Sequence, residues 1–386
     1  METIVLYTVI IIYSLITGFC LSSYQLKTIR KSLGNRISGY LLLISLPLLL
    51  ILVSNDTCTD FYSYVKIFDL SEFHLIFDLN EEIGWIFLNS CVKIITQDGV
   101  VGVNILRGLT YLVFLKSVIN LKNNINVGWA WIAFVCMGYF NIFSMVAFML
   151  AVGFILLAFS NLINKNYLWV CIDSIVAFSM HYTAIIPLFI IPIYVLYDRP
   201  KYKRIILWSF IACIMGCMLF STLLLEQFMK MFPLFSRYAA YGIYSSTGTG
   251  LRQFINYLPI FICLYFAGKK NNNKIVNLAI ITAFFGLTIG IMSYSINNLL
   301  RTYLYFIYLY IVFLPAVILE KQLSYGNFLD KKGNMEFKMR IGFIPVSVNV
   351  FKCLVLSYLL YRMIYLLSSE WEMYYSSGFS EFHFLF

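Results

Sequence analysis

Long apolar runs, broken by short polar stretches, fill this chain almost from end to end. Tyr40–Val53 reads YLLLISLPLLLILV, and Ala147–Phe159 reads AFMLAVGFILLAF. A membrane β-barrel would show short segments of alternating hydrophobicity instead. Unbroken runs predict α-helices that satisfy their own backbone inside lipid. Spans are predicted at about 4–21, 39–54, 99–119, 128–143, 144–162, 167–180, 182–197, 205–224, 253–268, 275–296, 302–320 and 343–367. The expected fold class is all-α: a polytopic integral membrane bundle of about 12 transmembrane helices. A single membrane domain is expected over residues 1–386, with no internal repeat relating its halves.

One segment breaks the pattern. Residues 83–98 read IGWIFLNSCVKIITQD, too short for a comfortable span. Asn89, Lys93 and Gln97 recur every fourth residue and form a polar stripe on one helical face. This pattern predicts an interfacial or re-entrant helix.

Composition fits the span pattern. The chain is 61% hydrophobic and only 12% charged, against about 25% charged in soluble domains. Its formal net charge of +10 does not point to nucleic acid, because the basic residues sit in short loops between spans. Alternate loops hold Lys27, Arg30, Lys31 and Arg36; Lys122; Lys165; Arg199, Lys201, Lys203 and Arg204; Lys269, Lys270 and Lys274; and Lys321, Lys331, Lys332, Lys338 and Arg340. The opposite loops hold Lys66, Lys230, Arg237, Arg252 and Arg301. The positive-inside rule makes the first set cytoplasmic and places both termini outside. Counting 83–98 as a span would reverse every later loop. The N-terminus, METIVLY, lacks the basic start of a cleavable signal, so the first span is expected to be retained. Nine cysteines are scattered without a C-x-x-C, and no structural disulfide is expected.

Two larger extracytoplasmic loops follow, about 55–98 and 225–252, and one cytoplasmic loop, about 321–342, that reads as a solvated tether. The first outer loop is acidic. Asp56, Asp60, Asp69, Glu72, Asp78, Glu81 and Glu82 are seven of the chain's 18 carboxylates. The second is basic and aromatic, and ends in a Gly/Ser/Thr-rich turn.

The candidate chemistry is narrow. There is no P-loop, no G-x-G-x-x-G and no G-x-S-x-G elbow. There is no D-x-D to hold a metal with a nucleotide sugar. Three histidines, His74, His181 and His383, lie too far apart to suggest a metal cluster. No metal and no cofactor is expected. Asp60 and Tyr64 open the acidic loop, and Glu82 and Trp85 close it. Carboxylates beside aromatic rings suit sugars, since the rings stack on C–H faces and the carboxylates accept hydroxyl protons. The same carboxylates also serve as a solvated acidic face. Arg237, Arg252 and Arg301 lie outside, where lipid head groups and lipid diphosphates supply the phosphates that arginine grips; snorkelling to ordinary lipid is the competing role. Arg107 lies inside span 99–119, roughly two turns from its outer end, facing either the bundle interior or the interface. His181 ends span 167–180 as a candidate base or a packing residue. Asp173, eight residues earlier, is too far round the helix to pair with it directly.

Taken in order, these residues resemble the EpsG-like branch of the O-antigen polymerases (Wzy). The resemblance rests on Asp60–Phe61 with Tyr64, on Glu82–x–Gly84–Trp85, on His181–x–Thr183–Ala184, and on Arg301–x–Tyr303–x–Tyr305–Phe306 with Pro315. It covers about residues 20–320. The chain departs from the family where arginine often precedes the histidine helix (here Ser144–Ala151, SMVAFMLA) and where arginine often precedes the Asp–aromatic motif (here SNDTCTD). Arg237 and Gly248 bracket ten residues, as in an Arg–ten–Gly pattern of some O-antigen polymerases.

The resemblance implies a metal-independent glycosyltransferase of the bacterial inner membrane with its active face extracytoplasmic. It would polymerise undecaprenyl-diphosphate-linked oligosaccharide repeat units into O-antigen or a related surface polysaccharide. The expected catalytic residues are Glu82, Asp60 and His181. The expected diphosphate or glycan contacts are Arg237, Arg252, Arg301, Arg107, Tyr64 and Trp85. Expected partners are the lipid-linked oligosaccharide, membrane lipid, a chain-length regulator and a flippase. Rival readings are a lipid-linked oligosaccharide flippase, a polysaccharide O-acetyltransferase and an O-antigen ligase.

Overall fold

The computed structural model describes residues 2–31, 46–55, 60–76, 82–197, 200–231, 274–295, 299–329, 338–341, 344–347, 352–363 and 383–384. These residues form two compact units, one of residues 1–182 with 314–386, the other of 183–313.

The first unit opens with α1 (Glu2–Lys31) and α2 (46–52). A two-residue strand, β1 (Ser54–Asn55), leads to α3 (Phe61–Leu70) and α4 (Ile83–Lys93). Then come α5 (Gly99–Asn120), α6 (Val127–Phe134), a π-helical turn over Val135–Tyr139, α7 (Asn141–Ser144), α8 (Val146–Ile163) and α9 (Tyr167–Met180). The second unit holds α10 (Ile185–Leu188), α11 (Ile190–Tyr197), α12 (Pro200–Met231), α13 (Lys274–Ser295) and α14 (Leu299–Tyr308). α15 (Tyr310–Leu329) leaves it, followed by strands β2 (Lys338–Ile341) and β3 (Ile344–Ser347), α16 (352–363) and β4 (His383–Phe384).

The architecture is a helical bundle of an integral membrane protein. Among the described residues, four helical stretches are long and apolar enough to cross a membrane: Gly99–Asn120, Val146–Ile163, Lys274–Ile291 and Thr302–Leu319. Shorter apolar helices, among them Tyr167–Met180 and Tyr182–Tyr197, coincide with predicted spans. The predicted span 253–268 lies outside the described residues, as does the preceding outer loop from residue 232 on; the first residues predicted for that loop, 225–231, are instead the end of helix α12.

Two expectations change. The tether predicted at 321–342 begins as helix, because α15 continues to Leu329, and it ends in β2. The last span does not start at 343, because Ile344–Ser347 pairs antiparallel with Lys338–Ile341. Ile344, Val346 and Val348 alternate with Pro345 and Ser347, a period-two pattern that favours a strand.

Small residues and amides fasten the first unit. α1 crosses α6 at Gly18 and Gly128, where a methyl group on Gly128 would lie 2.6 Å from the Ser22 amide nitrogen. Such close backbone approach is how membrane helices pack when water exclusion cannot drive them. Gln25 then bridges α1 to the turn before α6. Its Nε2 donates to the Lys122 and Ile125 carbonyls at 2.6 and 2.8 Å, and its Oε1 accepts from the Val127 N–H at 2.8 Å. Asn126 caps α6 through the Trp129 N–H and donates to Ser22 Oγ at 2.8 Å. These contacts leave few backbone groups at the α6 start unsatisfied in an apolar setting.

The helical run from α6 through α7 is interrupted before α8 at Met145, whose backbone (φ −129°, ψ 58°) is not helical. This agrees with the adjacent spans predicted at 128–143 and 144–162. At the far end of α8, Lys165 takes the left-handed conformation (φ 62°) in the short turn before α9.

Candidate active site

The site is built where α4 begins and α9 ends. Glu82 is the residue immediately before α4, and His181 the residue immediately after α9. Both have extended backbone, so each side chain leaves its helix end rather than lying along the helix. They meet at 2.9 Å, His181 Nδ1 to Glu82 Oε1. Their side chains are 15% and 8% exposed. A buried carboxylate needs a partner to offset its lost hydration, and His181 provides one. With Glu82 ionised the carboxylate only accepts, so Nδ1 then carries the shared proton and Nε2 is the nitrogen that can accept another.

Neighbouring side chains fix the pair. The Phe148 ring stands edge-on to the His181 ring, with centroids 5.6 Å apart. The Tyr182 hydroxyl accepts from the Ile83 N–H at 3.4 Å, at the first turn of α4. Gly84 packs against Ser179 of α9. Asp173 does not join the pair; it accepts from Asn161 Nδ2 of α8 at 2.7 Å, as its place on the helix suggested.

α4 covers Ile83–Lys93 of the predicted segment 83–98. Its 11 residues rise about 16 Å, roughly half of a hydrocarbon core. The polar stripe that raised the question has local uses. Asn89 donates to the Trp85 carbonyl, Lys93 Nζ to the Asp69 carbonyl at 2.6 Å, and Gln97 to the Lys93 carbonyl. Lys93 thereby closes the C-terminal end of α3 onto α4.

The aromatic residues of the acidic loop line this region. Asp60 stands before α3, half-buried, and makes no cap with its side chain. Half-buried Tyr64, one turn on, stands edge-on to Trp85 with centroids 5.8 Å apart. Trp85 itself is 1% exposed. It therefore cannot present a face to a sugar in this conformation; it supports Tyr64.

Arg107 is likewise redirected. It is fully buried. Its Nη1 donates to Asn104 Oδ1 at 3.0 Å and Ser54 Oγ at 3.4 Å, and its Nη2 to the Phe143 carbonyl at 2.7 Å. The guanidinium also lies over the rings of Phe61 and Phe143, 4.9 and 5.3 Å from their centroids. Of the two roles open to it, it faces the bundle interior. There it ties β1, α3, α5 and α7 together. In the second unit, Thr183 Oγ1 donates to the Tyr305 hydroxyl at 3.3 Å. Arg301 lies in the first turn of α14. Arg237 and Arg252 lie outside the described residues.

The chain matches the EpsG family model over residues 39–376. It belongs to the EpsG family. EpsG-like proteins are Wzy-type polymerases. No curated protein and no solved structure matches the chain. The motifs that carried the family resemblance are distant in sequence yet partly assembled in space. The Glu–x–Gly–aromatic and His–x–Thr motifs meet through Glu82 and His181. The Asp–aromatic motif reaches the first of these through Tyr64 and Trp85. Ser54, Asn104, Phe143 and Phe148 were not singled out in the sequence, since each is an ordinary residue of an apolar helix or its flank.

Proposed function

We propose that this chain polymerises undecaprenyl-diphosphate-linked oligosaccharide repeat units into O-antigen or a related surface polysaccharide. The reaction would run on the extracytoplasmic face of a bacterial inner membrane. The growing glycan moves from its lipid diphosphate to a hydroxyl of the incoming lipid-linked unit. The new glycosidic bond forms as the anomeric C–O bond to the diphosphate breaks. The acceptor proton goes to an enzyme base, and the released undecaprenyl diphosphate carries the negative charge. That leaving group is already good, so positioning, a base and cations suffice.

The buried Glu82–His181 pair carries this reading. A carboxylate that holds an imidazole by Nδ1 leaves Nε2 ready to accept a hydroxyl proton. His181 is assigned as the base, and Glu82 as the group that orients it and stabilises its protonated form. Asp60 and Tyr64 are assigned to the acceptor sugar. Arg237, Arg252 and Arg301 are assigned to the diphosphate and glycan, on the sequence argument. Arg107 and Trp85 are assigned as supports.

The test is deletion of the gene and sizing of surface glycan. A single capped repeat supports the polymerase. Absence of lipid-linked repeat at the outer face would mean a flippase. Normal length with altered acetylation would mean an acyltransferase. Long polymer left on its lipid carrier would mean a ligase.

A further inference from the structure

Glu82 and His181 lie 99 positions apart in sequence, on different helices. Something must hold the α4 start against the α9 end closely enough for a 2.9 Å contact. The Tyr182–Ile83 bond is long, at 3.4 Å, and edge contacts of rings are adjustable. The tightest constraint is steric. A Cβ on Gly84 would lie 2.6 Å from Ser179 Cβ and 2.7 Å from the Ser179 carbonyl carbon, and would collide with Ser179 Oγ. The carbonyl carbon is backbone and cannot rotate away. Gly84 is two residues beyond Glu82, and Ser179 two residues before His181. Any separation forced at the crossing therefore passes almost undiminished to the pair.

We propose that Gly84, through its contact with Ser179, is the positioning residue that sets the Glu82–His181 geometry for glycosyl transfer. Even one methyl group at position 84 forces α4 away from α9, lengthens the pair and leaves His181 free to turn. Helix propensity predicts the opposite effect, since alanine favours a helical position over glycine. A loss of activity on adding that methyl group thus reports the crossing rather than the helix. This inference rests on the role proposed above for the pair.

The experiment uses the full-length protein in membranes of a strain lacking its own copy. Gly84→Ala is expected to accumulate and to shorten surface glycan toward the length given by His181→Ala. A second readout needs no activity. The chain has three histidines, so nitrogen-15 labelling of the imidazoles gives few signals, and His181→Asn assigns the one of interest. Gly84→Ala is expected to move the His181 Nδ1 signal toward its position in Glu82→Gln. Adding Ser179→Gly removes two of the three close atoms but not the carbonyl carbon, so the double variant is expected to recover part of both readouts. If Gly84→Ala fails to accumulate, Ser179→Val pushes from the α9 side and is expected to move the same signal. A His181 signal unmoved in both variants overturns the inference, as does full-length glycan from Gly84→Ala when His181→Ala gives a single repeat. Full-length glycan from His181→Ala instead removes the functional reading, while the nitrogen-15 signal still decides whether the crossing sets the pair.

Discussion

Arg107 and His181 are two polar residues within apolar helical surroundings, and the structure gives them opposite roles. Arg107 spends its donors on Ser54, Asn104 and the Phe143 carbonyl, with aromatic rings against its guanidinium. Removing it strands several buried acceptors, each costing about 1–3 kcal/mol. Arg107→Ala is expected to lower unfolding temperature in detergent and membrane abundance together. His181 spends one nitrogen on Glu82. His181→Ala is expected to accumulate normally and to reduce glycan to a single repeat, since a general base is worth about 10²–10⁴-fold. Glu82→Gln keeps an oxygen acceptor for Nδ1–H but loses the charge that stabilises the imidazolium. It is expected to give chains longer than His181→Ala and shorter than wild type on sizing gels. Arg301→Ala is expected to shorten glycan without lowering abundance.

At the scale of elements, α4 tests the topology most directly. Its 11 residues and the Lys93 link back to α3 fit the expectation of a helix that enters and does not cross. In a protein cleared of reactive cysteines, Ile83→Cys and Thr96→Cys are expected to label with a membrane-impermeant thiol reagent from the same side. Labelling from opposite sides would mean that α4 spans, and would reverse every later loop. The period-four stripe of Asn89, Lys93 and Gln97 made the element legible in sequence. Its fastening was not, because the acceptors are backbone carbonyls, which carry no sequence signature. The β2–β3 hairpin was missed for a related reason. Apolar residues at 341–348 fit the start of a span as well as a strand, and only the ladder decides between them.

For the whole molecule, the charge count predicts both termini outside. The pairing of Ser54–Asn55 with His383–Phe384 brings residues 383–384 beside the segment that leads into the Asp60 loop. A phosphatase fused after residue 386 is therefore expected to be active and a fluorescent protein in the same place dark; the reverse result would refute this topology.

Much of this was written in the sequence. Apolar runs determine helices in a membrane because only internal hydrogen bonding satisfies a backbone in lipid. Loop charges predict an orientation, and short motifs in fixed order carry the resemblance to the EpsG family that the family match shows. The sequence also named Asp60, Glu82 and His181 as candidates, but as separate carboxylate and histidine alternatives. The tertiary structure alone joined Glu82 to His181, buried Trp85 and turned Arg107 inward. Periodicity reports which face of a helix is apolar; which helices touch, and at which residues, depends on packing across the chain, down to the missing methyl group of Gly84.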